Sequence, residues 1–124
     1  MAGPLILIVD DTPANLRLAE FLLTRAGFAV VTAADATETW AQLDAATPAL
    51  VLMDLQLPGV DGFTLTGQIR QRPDLARLPI VAMTAYAMAG DETRVREAGC
   101  DGFISKPINP ETFAVRVRSF LGTA

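Results

Sequence analysis

Four apolar runs and one shorter mixed run punctuate the chain, and most stop at a polar residue. Leu5–Val9 stops at Asp10-Asp11, and Ala49–Met53 stops at Asp54. Ile80–Met83 stops at Thr84-Ala85, and Gly102–Ser105 stops at Lys106-Pro107. Phe28–Thr32 is short and β-branched. Continuous apolar runs of this length between turn signals predict strands buried on both faces, as in a parallel sheet. Ala49–Met53 is the most complete of them. It delivers a single carboxylate, Asp54, and Pro58-Gly59 then ends regular structure.

Between these runs the pattern changes to helical spacing. Thr12 as N-cap and Pro13 as first helical residue open a helix to about Ala26. Leu16, Leu23 and the set Leu18, Phe21 and Leu22 give it an apolar stripe, and Gly27 suits its exit. Asp35 and Glu38 have capping-box spacing ahead of a helix with Ala36, Trp40 and Leu43 on one face, ended by Thr47-Pro48. A third helix covers about Phe63 to Arg70, and Pro73 and Pro79 bracket a linking turn. A polar, charge-mixed helix runs from about Ala89 to Ala98 and closes at Gly99. Asn109 and Pro110 open the last helix, with Phe113, Val117, Phe120 and Leu121 facing inward. Strands alternating with helices predict βαβ units, and five of each fit the flavodoxin-like, doubly wound α/β order 2-1-3-4-5.

Composition narrows the function. At 124 residues, 51% hydrophobic and 19% charged, the chain reads as one globular domain over 1–124. A net charge of −4 argues against a nucleic-acid surface. No apolar run approaches a membrane span, and the first residues lack the charged start of a signal peptide. One cysteine, Cys100, excludes an internal disulfide and fits a reducing, cytoplasmic setting. The absence of histidine removes imidazole chemistry from this chain.

In a parallel sheet, the strand ends bring Asp10, Asp11, Asp54, Thr84 and Lys106 to one edge, where open α/β sheets place ligands. Three adjacent carboxylates repel and raise one another's pKa, and a cation relieves this. Acidic oxygens with water and a carbonyl suit hard, octahedral Mg²⁺. Lys106 adds a fixed positive charge, and Thr84 offers a hydroxyl to a phosphoryl oxygen. The predicted chemistry is phosphoryl transfer onto Asp54 as carboxylate nucleophile.

Val9-Asp10-Asp11, Met53-Asp54-Leu55-Gln56-Leu57-Pro58 with Asp61-Gly62, Met83-Thr84-Ala85 and Ser105-Lys106-Pro107 follow one another over essentially the whole chain. In these motifs the sequence resembles response-regulator receiver domains, the CheY-like family of two-component signalling. The resemblance implies Asp54 as phospho-acceptor. It implies Mg²⁺ held by Asp11, Asp54 and the backbone carbonyl of Gln56, with Asp10 acting through a water. It implies Thr84 and Lys106 on the phosphoryl oxygens, backbone donors at Gln56 and Ala85, and a cis Lys106–Pro107 bond. Thr84 and Phe103 fall at switch positions, and Gln56 and Tyr86 at positions that tune hydrolysis of the acyl phosphate. Phe103 stands where relatives often carry Tyr, so no hydroxyl is available there. The stretch Ala87–Glu92 with Gly99-Cys100 and Ile104–Ile108 is similar both to stand-alone regulators of the DivK type and to receivers of hybrid histidine kinases.

The resemblance further implies a histidine kinase or phosphotransfer protein as phosphate donor. It implies a protein partner at the face of the fourth helix, fifth strand and fifth helix, by a monomer or a phosphorylation-dependent dimer. Catalysis would be limited to the domain's own phosphorylation and dephosphorylation. Three rivals were weighed. An aspartate-nucleophile phosphatase needs a second carboxylate where Gln56 stands. A flavin or nucleotide carrier needs a glycine-rich loop where Asp10-Asp11-Thr12-Pro13 stands. A phosphate-independent interaction module on the same fold stays open. Trp40, Met53, Met83 and Cys100 are read as packing residues, and the charges from Asp91 to Glu97 as a solvated helix face.

Overall fold

The computed structural model describes residues 3–57, 59–84 and 89–121. Along them run β1 (Leu5–Val9), α1 (Pro13–Arg25), β2 (Ala29–Ala33), α2 (Ala36–Ala45) and β3 (Leu50–Asp54). These are followed by α3 (Gly62–Gln71), a 3₁₀ turn at Pro73–Leu75, β4 (Ile80–Thr84), α4 (Ala89–Glu97), β5 (Gly102–Ser105) and α5 (Phe113–Phe120). The strands form one parallel sheet in the order β2-β1-β3-β4-β5, as the sequence predicts.

Alternation along each strand divides the core in two. Leu7, Val9, Val51, Met53, Ile80 and Ala82 point to the face covered by α2, α3 and α4, through Leu43, Leu65, Ile69 and Val95. Ile6, Ile8, Leu50, Leu52, Val81 and Met83 point to the face covered by α1 and α5, through Ala19, Leu23, Phe113 and Val117. β1, β3 and β4 are therefore apolar on both sides, and their charges can only sit where the chain leaves the sheet.

Several local expectations need correction. The α1 stripe is narrower than its apolar residues imply. Ala19 and Leu23 are buried, whereas Leu18 is 38% and Phe21 55% exposed, with Arg25 stacked on the Phe21 ring. Thr12 holds the N-cap position, but its side chain makes no capping hydrogen bond. β2 begins at Ala29, one residue later than expected, and Phe28 is buried just ahead of it. α5 begins at Phe113, because residues 110–112 form a turn anchored by the Asn109 side chain, which accepts from the Glu111 N–H at 3.0 Å. The Asp35–Glu38 expectation holds at the helix end: Asp35 Oδ1 accepts the Glu38 N–H at 2.8 Å. The Glu38 carboxylate returns to the N–H of Ala34 at 2.9 Å.

Candidate functional site

Strand register sets the site. Val9 pairs with Met53, so Asp10 and Asp54 leave adjacent strands at the same level. Asp54 pairs with Met83 and Thr84 with Ser105, which brings Thr84 and Lys106 to the same edge. β1 and β3 are also where the strand order reverses, the crevice at which doubly wound sheets bind ligands.

Asp10, Asp11 and Asp54 each offer an oxygen within 4.8 Å of the others. Asp10 is fully buried and Asp54 nearly so, while Asp11 faces solvent. The two buried carboxylates are held alike. Asp10 Oδ1 accepts the Thr12 backbone N–H at 2.9 Å, and Asp54 Oδ1 accepts the Gln56 backbone N–H at 3.0 Å. The other oxygen of each meets Lys106 Nζ, at 3.0 Å for Asp10 and 3.2 Å for Asp54. The helix cap assigned to Thr12 from sequence is thus a donor instead, and its N–H fixes Asp10.

The electrostatics follow from burial. Desolvation raises the Asp54 carboxyl above its ordinary value, against the pull of the Gln56 N–H and Lys106, with Asp10 adding repulsion. Burial opposes the Lys106 charge as well, but hydrogen bonds and attraction from Asp10 and Asp54 outweigh it and hold the ammonium upward. One ammonium therefore stands between two carboxylates, with a third at the mouth. The donor set is all hard oxygen, the chemistry that suits a small divalent cation such as Mg²⁺ rather than a soft metal.

Thr84 is buried at the end of β4, and its carbonyl accepts the Lys106 N–H at 2.8 Å. Alternation puts Thr84 on the face of Ala82, toward α3 and α4, and Phe103 packs into the same half of the core. Thr84 and Phe103 therefore share one side of neighbouring strands. The Lys106–Pro107 peptide is cis. The Gln56 side chain is exposed. Ala85, Tyr86 and Pro58 lie outside the described residues.

Sequence reasoning passed over Gly62 as a site residue. A Cβ there would fall on the backbone carbonyl of Asp54, and the Gly62 N–H donates to the Leu55 carbonyl at 3.2 Å. The available signal was a glycine at the first turn of a helix, after Asp61, whose carboxylate caps the Thr64 N–H at 2.8 Å. Met53, Met83 and Cys100 are buried in the core, and burial pushes the Cys100 thiol up.

Residues 6–118 match the family model of the response regulator receiver domain. The chain is 36% identical over 119 residues to the polar-differentiation response regulator DivK of Brucella anthropi, covering 96% of this chain and 97% of that protein. Among solved structures it resembles the chemotaxis response regulator CheY4 of Vibrio cholerae, with TM-score 0.90, 26% identity, and 96% and 99% of the two chains covered. It also resembles the signal receiver domain of a histidine kinase from Syntrophus aciditrophicus, with TM-score 0.85, 28% identity, and 96% and 90% covered.

Proposed function

Because the chain belongs to the response regulator receiver family of two-component signalling, we propose that it accepts a phosphoryl group from a phosphohistidine donor onto Asp54 in a Mg²⁺-dependent reaction. The observation that carries this reading is the single Lys106 ammonium shared between Asp10 and Asp54 at 3.0 and 3.2 Å. Such a site holds fixed positive charge beside a buried nucleophile, which favours an incoming dianion.

A carboxylate oxygen of Asp54 attacks phosphorus, the P–N bond to the donor imidazole breaks, and the imidazole leaves with a proton. The product is an acyl phosphate on Asp54. The chain has no histidine, so the donor is another protein, a histidine kinase or phosphotransfer protein. Asp11, Asp54 and the Gln56 carbonyl would hold Mg²⁺, with Asp10 through water; bound there, the ion supplies charge neutralisation for the phosphoryl oxygens. Lys106 shifts from carboxylate to phosphoryl oxygen, Thr84 donates its hydroxyl, and the Gln56 N–H stands ready beside Asp54. Gln56 and Tyr86 would set how fast water removes the group. This chemistry acts on the domain itself, within one receiver unit over 1–124 and in a reducing cytoplasm.

The signal travels through Thr84 and Phe103 to the face of α4, β5 and α5, where a protein partner or a second copy docks. Moving a switch from 1:99 to 99:1 takes about 5.5 kcal/mol. Charge-assisted hydrogen bonds of about 1.5–3 kcal/mol each to the new oxygens supply that range.

The direct test is intact mass after incubation with Mg²⁺ and a small-molecule phosphodonor, beside Asp54→Asn and a chelated sample. Gain of one phosphoryl group, absent from both controls, supports the proposal. No gain by folded protein sinks it and leaves a phosphate-independent interaction module.

A further inference from the structure

A groove of about 180 Å³ lies between α4, β5 and α5. Val95, Phe103 and Phe120 supply its apolar surface, and Arg96, Arg116 and Asp101 its charges. Gly102 makes the shape possible, because a Cβ there would strike the Phe120 ring. That ring therefore lies against β5 itself.

The sign of the groove is set from behind. Asp101 Oδ2 receives Arg70 Nη2 at 3.0 Å and the Ile80 N–H at 2.8 Å. Arg70 is only 18% exposed and does not line the groove. Its Nε donates to the Gly99 carbonyl at 2.9 Å, and Nη1 reaches the Leu78 carbonyl. The Asp101 charge is thus compensated by a cation locked in the turn beneath it. Arg116, by contrast, donates Nη2 to the Phe103 carbonyl at 3.1 Å, a neutral acceptor that leaves its charge expressed. Among the described lining residues, the balance is positive on a chain whose net charge is −4.

β5 is an outer strand, and outer strands commonly add a partner strand. Here Arg116 takes the Phe103 carbonyl and Phe120 crosses Gly102, so a visitor meets side chains rather than a free backbone edge. A nucleic acid is disfavoured by the net acidity of the chain.

We infer that this groove takes an acidic peptide segment carrying one bulky apolar side chain, which seats between Phe103 and Phe120 while flanking carboxylates meet Arg96 and Arg116. This deepens the preceding reading, which gives this face the output role, by stating the partner's chemistry.

The test is a titration of the ¹⁵N-labelled full chain with an octapeptide of aspartate and glutamate around a central phenylalanine. The amides of Val95, Phe103 and Phe120 are expected to shift and saturate, and raised salt weakens the effect. An otherwise identical lysine peptide leaves them unmoved, and replacing the phenylalanine by alanine weakens binding. Arg116→Glu weakens it roughly five- to tenfold, on the order expected for reversing a partly screened charge. Asp101→Asn changes it less than about twofold, since Arg70 already cancels that charge. Equal response to the lysine peptide, shifts confined to other surfaces, or a large gain in Asp101→Asn overturns the inference. So do the same shifts on raising protein concentration without peptide, which would give the groove to a second copy. Repeating the titration after phosphodonor and Mg²⁺ separates the two readings. Phosphoryl uptake with unchanged peptide affinity removes the output switch and keeps the groove, whereas uptake without peptide binding in either state removes the groove alone.

Discussion

The carbonyl oxygen of Asp54 occupies the place where a side chain on Gly62 would begin. The contact is backbone to side chain, so no rotamer change relieves it. Alanine gains up to about 1 kcal/mol of helix propensity over glycine, while overpacking costs about 1–3 kcal/mol. At a backbone obstacle the second effect wins. Gly62→Ala is expected to lose about 1 kcal/mol or more in urea unfolding, and an unchanged midpoint would contradict the packing described.

Burial raises the Asp54 carboxyl above its ordinary 3.8, so the folded chain binds this proton more tightly than the unfolded chain does. Stability contributed by this group therefore falls as pH climbs from 3.8 through the raised folded value, and the loss is complete above it. Asp54→Asn removes that dependence. Without divalent cations it should melt above the wild type at neutral pH, and the gap should close on acidification below 3.8. A lower melting point at neutral pH would mean that pairing with Lys106 outweighs burial. Lys106 acts at the other end of the scale: its stabilisation is full below 10.5 and disappears as pH rises through its raised folded value.

Divalent cation binding is measurable as stability. Mg²⁺ at a hundredfold excess over its dissociation constant adds about 2.7 kcal/mol if it binds only the folded chain. Asp11 is exposed, and exposed substitutions change stability by roughly 0.5 kcal/mol or less. Asp11→Asn should thus leave the metal-free melting point nearly unchanged and abolish most of the Mg²⁺-induced rise. A full rise in Asp11→Asn by calorimetry would remove Asp11 from the cation site.

Phe103 shares a core face with Thr84 and is only partly buried. Phe103→Ala should therefore cost less than the about 3–5 kcal/mol of a fully buried phenylalanine. It should still take phosphate, yet lose the phosphorylation-dependent gain in partner affinity. The same gain retained in the variant, measured by calorimetric titration, would end the switch role of Phe103.

The strands and the edge residues are legible in the sequence because a doubly buried strand admits no charge until it exits the sheet. Asp10, Asp54 and Lys106 stand out for that reason. Helix faces are less legible. Leu18 and Phe21 belong to a chain segment with more apolar residues than one sheet face can cover, and the sheet selects Ala19 and Leu23. Thr12 reads as a cap from its type, but the Asp10 carboxylate claims the Thr12 N–H, a competition between neighbours that spacing does not reveal. The role of Gly62 depends on which backbone passes beside it, and Arg70 reaches Asp101 from another helix. Both require the assembled tertiary structure.

The Lys106–Asp10 ion pair joins residues 96 positions apart. All three carboxylates precede residue 55, whereas the ammonium arrives with the fifth strand. On the ribosome the acidic half emerges first, as N-terminal segments do. Until β5 docks, that half carries mutual repulsion without its counter-charge and cannot form the complete site. Competence for phosphoryl chemistry is therefore tied to completion of the sheet, and a truncated or nicked chain lacking β5 is silent by construction.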